Sequence, residues 1–135
     1  MSNSMSSSNN EKTDLFSTIK IGDLEVKNRI IMPALILNFP IRGVRIGDEW
    51  IRFYRRRAQG GVGLIIVGAC YVHPAGRQDE FQIGVDHNGW LPGLETISRV
   101  VKDGGAVPAL QLNHAGRYSL REITGMDPVA PSAIA

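Results

Sequence analysis

The chain has 135 residues, of which 43% are hydrophobic and 21% charged, with a formal net charge of +2. That balance belongs to a folded globular domain, and so small a charge, with no stretch interleaving clustered Lys or Arg with aromatics, speaks against nucleic acid as a partner. The single cysteine, Cys70, cannot form an internal disulfide or hold zinc or an iron-sulfur cluster by itself, which fits a reducing cytoplasm.

"MSNSMSSSNNEK" lacks the apolar centre of a signal peptide, and residues 1–13 read as a disordered tail. No apolar run nears the roughly 18 residues of a membrane span, so no membrane is expected as a partner. In "TIKIGDLEVKNRI", Ile19 and Ile21, then Leu24 and Val26, alternate around Gly22-Asp23, as in a short β-hairpin. "NRIIMP" follows as a first core strand, stopped by Pro33, which lacks a backbone donor. A long loop leads to Gly47.

Asp48 is expected to cap a helix in which Trp50, Ile51, Phe53, Tyr54 and Ala58 cover one side, with Arg52 and Arg56 opposite. Arg57 alone of the "RRR" run falls in the apolar arc and is expected to snorkel; the run as a whole reads as a solvated helix face. Gly60 and Gly61 stop this helix. "GLIIVGA" is then a continuous, β-branched-rich run, as expected of a parallel strand buried on both faces. A second helix over 91–102 buries Leu94, Ile97 and Val101 and stops at Gly104-Gly105, and "AVPALQL" supplies the third core strand. His73 and His87 are expected to be exposed in the intervening loop, and Cys70 to be a small buried hydrophobe.

A β-α-β-α-β order fits either an open doubly wound sheet or a closed barrel. The first βα loop decides between them. "PALILNFPIRG" is long and apolar where a dinucleotide fold would place GxGxxG, and "GGVG" at 60–63 precedes a strand and so cannot offer a helix N-terminus to a pyrophosphate. In a barrel the three strand ends share one rim: Met32 to Ile36, then Gly68, Ala69 and Cys70, then Gln111, Asn113 and His114. Such a wall, apolar or small on two strands with an amide on the third, suits a flat heteroaromatic ring that reads hydrogen bonds at its edge. The absence of a Lys, Asp or Glu from this part of the rim counts against a barrel lyase with a phosphorylated substrate.

"LFSTIKIGDLEVKNRIIMPA", "RAQGGVGLIIVGA", "QLNHAGR" and "PVAPSAI", running in order from Leu15 to Ile134, together resemble the N-terminal part of the old yellow enzyme family of FMN-dependent oxidoreductases. The nearest branch is that of the bacterial NADH:flavin oxidoreductases related to 2,4-dienoyl-CoA reductase. The resemblance implies an α/β fold: the first β-α-β-α-β portion of a TIM (β/α)8 barrel, preceded by a short β-hairpin, with residues 14–135 as the N-terminal part of an FMN-binding barrel. It implies FMN as cofactor, NADH or NADPH as reductant, and hydride transfer to the activated C=C bond of a small enone or enoyl-type substrate.

By position, Pro33, Ala34, Leu35 and Ile36 correspond to the segment whose backbone lies beside the flavin ring, Ala69 to a small residue near it, and Gln111 to the amide at its pyrimidine edge. Gln suits that role because it offers both a donor and an acceptor to a mixed edge. The same amide could instead satisfy loop backbone groups. His114 could contact ligand, but pinning the following loop to a backbone carbonyl is the expected role. Arg117 could meet an anionic group of ligand or pair with a local carboxylate. Where many members carry Thr or Cys near the flavin, this sequence has Ile36, which cannot hydrogen-bond.

A complete barrel takes about 250 residues. The resemblance therefore places the family's substrate-anchoring His pair and phosphate loops beyond Ala135, together with the iron-sulfur cluster and second flavin that the nearest branch carries. No catalytic side chain is carried onto the present residues. Two readings follow: an incomplete chain of a flavin oxidoreductase, inactive by itself, or a non-catalytic remnant that folds partially or with another chain.

Overall fold

The computed structural model describes residues 14–132; the expected tail at 1–13 lies outside the described residues. Gly22, at φ +60°, and Asp23 reverse the chain between β1 (Ile19–Ile21) and β2 (Leu24–Val26), which pair antiparallel as the alternation predicts.

The first core strand is shorter than expected: β3 covers only Ile31–Met32. The cause lies in Asn28, which is 7% exposed. Its Nδ2 donates to the Gly61 carbonyl at 2.7 Å and its Oδ1 accepts from the Ile30 amide at 3.1 Å, so side-chain bonds replace the ladder there.

Helix α1 runs Asp48–Gln59, with Gly47 at the N-cap and no side-chain cap bond. Asp48 is thus the first helical residue and not the cap; there, with Glu49, its charge faces the positive end of the helix dipole. Trp50, Ile51, Tyr54 and Ala58 are buried along one side, as their spacing predicts. Arg57 follows that side outward, its guanidinium carbon 3.3 Å from the Phe53 ring centroid and its Nη1 donating to the Phe53 carbonyl at 3.0 Å. Strand β4 (Leu64–Tyr71), helix α2 (Leu91–Asp103) and strand β5 (Val107–Asn113) follow, and a single turn, α3 (Arg121–Thr124), comes last.

The strands form one parallel sheet in the order β3-β4-β5. Ile65 and Val67 enter a core shared with Trp50, Tyr54 and Ala58 of α1 and with Ile97, Val100 and Val101 of α2. Each large side chain so buried contributes about 1.5–3 kcal/mol. Side chains alternate along a strand, so Leu64 and Ile66 lie on the opposite face, beside Val107 and Ala109 in register, with Ile31 next to Leu64 and 44% exposed. One face of the sheet is therefore covered by helices. The other face carries the apolar layer of a barrel interior.

The first βα loop is folded down onto this core. Leu37, Phe39, Ile41 and Val44 pack against it, Trp50 Nε1 donates to the Phe39 carbonyl at 3.1 Å, and the two rings meet edge to face at 5.7 Å. This fixes the path of residues 33–36 above the strand ends. Among the described residues, no helix is long and apolar enough to cross a membrane.

Candidate functional site

Parallel strands deliver their C-terminal ends to the same rim, and here the β4–β5 register breaks at that rim. Val67 pairs with Leu110 and Cys70 with Leu112, so Gly68 and Ala69 together oppose the single residue Gln111. This two-against-one arrangement is a β-bulge, which interrupts the ladder and re-aims the side chains beside it. Gly68 makes it sterically feasible. Its φ is +147°, and a Cβ added there would lie 3.1 Å from both the Cβ and the carbonyl oxygen of Gln111.

From the other side, Leu35 forms an isolated bridge with Gly68. The three segments picked out in the sequence, 33–36, 69 and 111, thus converge on one bulge. Ala34, Ile36 and Ala69 are half-buried, while Pro33, Leu35 and Gln111 are exposed. The Gln111 side chain makes no hydrogen bond among the described residues, so it does not serve the loop backbone. Its donor and acceptor remain available to a ligand edge.

His114 anchors the loop after β5, though not through a carbonyl. Its Nδ1 accepts from the Gly116 amide at 3.1 Å, which requires that nitrogen to be unprotonated. Its ring stacks on that of His73 at 6.5 Å. His73 and His87 are exposed as expected, and each caps a short 3₁₀ turn by accepting a backbone N–H. Among the described residues Arg117 pairs with no carboxylate: its guanidinium lies over the Tyr118 ring at 4.9 Å and donates to the Tyr118 hydroxyl at 2.9 Å.

Among the described residues three side chains carry raised pKa values: Cys70, Tyr54 and, through burial and the nearby Asp86 carboxylate, Tyr71. Burial pushes the Cys70 thiol up to about 12, and the residue is fully enclosed, so it acts as a small apolar filler. Burial also pushes the Tyr54 phenol well above the ordinary tyrosine range, and its hydroxyl has no hydrogen-bond partner among the described residues.

The loop between β4 and α2 holds more of the rim than its polar sequence suggests. Gln82, Ile83 and Trp90 are 2%, 1% and 3% exposed. Backbone bonds from Tyr71 to Ile83 (3.0 Å) and from Val85 to Tyr71 (2.9 Å) lay the segment along the end of β4. Arg77 folds the preceding turn by donating to the carbonyls of Asp79 (2.9 Å) and Glu80. Neither periodicity nor motif marks Gln82; its one local signal is an amide flanked by Phe81 and Ile83 in an otherwise polar loop. Among the described residues no cluster of His, Cys, Asp and Glu could hold a metal ion.

Over residues 14–135 the chain matches the NADH:flavin oxidoreductase / NADH oxidase family. It is 41% identical over 120 residues to a metal reductase of Desulforamulus reducens, covering 89% of this chain and 18% of that protein. It is 37% identical over 123 residues to an NADH oxidase of Thermoanaerobacter brockii, covering 90% of this chain and 19% of that one. Among solved structures it superposes on an old yellow enzyme homologue from Zymomonas mobilis with a TM-score of 0.82 and 32% identity, covering 89% of this chain and 33% of the other. The chain belongs to the NADH:flavin oxidoreductase / NADH oxidase family. It has the fold of the first portion of an old yellow enzyme-type TIM barrel and spans about a fifth to a third of the proteins it matches.

Proposed function

We propose that residues 14–135 form the N-terminal part of an FMN-binding barrel and supply one side of the flavin site in an NAD(P)H-dependent oxidoreductase. The observation that carries this reading is the bulge where Gly68 and Ala69 oppose Gln111, with Leu35 bridged to Gly68. It places a small residue, an apolar segment and an uncommitted amide together, which fits a flat ring with a polar edge.

In this reading Gln111 receives the pyrimidine edge, Ala69 leaves room for the ring, and the backbone of Pro33 to Ile36 lies alongside it. Ile36 keeps its part of the site apolar and free of a hydrogen-bonding side chain. His114 shapes the loop after Gln111, and Arg117, held by Tyr118, stays outside the ring contact. Bound there, FMN would supply hydride transfer from NADH or NADPH to an electron-poor acceptor, for which a small enone or enoyl-type C=C bond is the proposed substrate class.

The test is to purify the intact protein that carries this sequence, desalt it, and record its visible spectrum and its NAD(P)H oxidation with an enone. A bound oxidised-flavin spectrum and enone-dependent turnover are expected. Failure to retain flavin even after reconstitution with FMN would overturn the reading.

A further inference from the structure

The geometry points to Gln82 as a positioning residue that sets the rim at Ala69, and so the fit of the ring there; this inference rests on the flavin reading of the same site. The bulge leaves Gly68 and Ala69 without ladder partners in β5, so the Ala69 carbonyl has lost its usual acceptor role in the sheet. Gln82 takes it over. Its Nε2 donates to that carbonyl at 3.0 Å, while its Oε1 accepts from the Gln78 amide at 2.9 Å.

One partner is an acceptor and the other a donor, so the amide has a single satisfied orientation. At 2% exposure, neither half can be replaced by bulk water without opening the loop. The flanking bonds from Tyr71 to the Ile83 carbonyl and from Val85 to the Tyr71 carbonyl hold Gln82 at this height on β4. The 78–82 turn and the Ala69 peptide are therefore one unit, tied by a single side chain. A change at 82 is transmitted to the peptide next to the ring without any contact between Gln82 and the ring.

The test compares the intact protein with its Q82L and Q82E variants by FMN titration from about pH 8 to 5.5, with hydrogen exchange at the Gln78 amide of the flavin-free protein as a second readout. Q82L removes both bonds and should weaken FMN binding by about tenfold and speed Gln78 exchange, since buried partners are left unpaired. In Q82E the carboxyl faces a carbonyl in a buried site, which raises its pKa above the ordinary glutamate value. Above that pKa the carboxylate repels the Ala69 carbonyl; below it the O–H donates in place of the amide.

The affinity of Q82E relative to wild type should accordingly rise as pH falls. Tyr71, Arg77 and Glu80 line the same cavity as Gln82 and are present in both proteins, so the ratio reads what depends on the residue at 82. This rescue on acidification is something a merely space-filling role would not produce. A wild-type protein that binds FMN while the Q82E ratio stays flat with pH overturns the inference alone. A wild-type protein that binds no FMN overturns the functional reading and the inference with it.

Discussion

Gly68 and Gln111 are packed so closely that position 68 has little room for a side chain: a Cβ there would sit 3.1 Å from the Gln111 Cβ and from its carbonyl oxygen. With φ at +147°, position 68 is also one that L side chains rarely adopt. Gly68→Ala is therefore expected to destabilise the protein by about 1–3 kcal/mol, the usual cost of a side chain in such backbone geometry. Denaturant unfolding of the intact protein checks this, and an unchanged midpoint would show that the bulge relaxes freely.

At Gln111 the expectation is reversed: little effect on folding and a large one on binding. The exposed side chain makes no internal hydrogen bond among the described residues, so Gln111→Leu should leave the melting temperature of the flavin-free protein nearly unchanged. FMN affinity should fall by about 1–3 kcal/mol, because the ring edge is left unpaired. Parallel melting and flavin titration separate the two quantities.

The fold was legible wherever one physical signal dominated. Helices α1 and α2 follow from apolar spacing ended by paired glycines, and β4 and β5 from continuous apolar runs. Strand β3 is shorter than its apolar pattern predicts because Asn28 takes over backbone bonding with its side chain, which periodicity does not register. Residue type alone predicts Asp48 as a cap, but the chain enters the helix one residue earlier, at Gly47. At the site, the strand ends could be placed by sequence, but the two-against-one register that brings Ala69 and Gln111 together is a pairing property of two distant segments. Gln82 is hidden for a similar reason: its importance lies in a carbonyl 13 positions earlier in the chain that has no partner in the β4–β5 register.

Asn28 should be among the more sensitive positions in the lower half of the structure. Asn28→Ala removes a donor to Gly61 and an acceptor for Ile30, both in a nearly buried setting, and is expected to cost about 2–4 kcal/mol. The rim proposed to hold the flavin lies at the opposite end of the sheet, so the loss should appear in urea unfolding of the flavin-free protein.

Cys70 should resist alkylation in the native state, since burial holds its thiol protonated up to about pH 12 and no surface is exposed. Because the folded pKa is raised from 9.0, this group contributes no pH dependence below the range of the free thiol; its contribution to stability is lost as pH climbs from about 9.0 toward 12. Maleimide labelling at neutral pH with and without denaturant tests the first statement. Fast labelling of native protein would mean that the core behind the rim opens.

The most direct measurement is a crystal structure of the intact protein with FMN bound. The ring is predicted to lie on the rim formed by residues 33–36 and Ala69, with the Gln111 amide about 3 Å from its pyrimidine edge. A flavin seated elsewhere, or a Gln111 side chain turned away to bond its own loop while flavin is bound, would contradict the site described here.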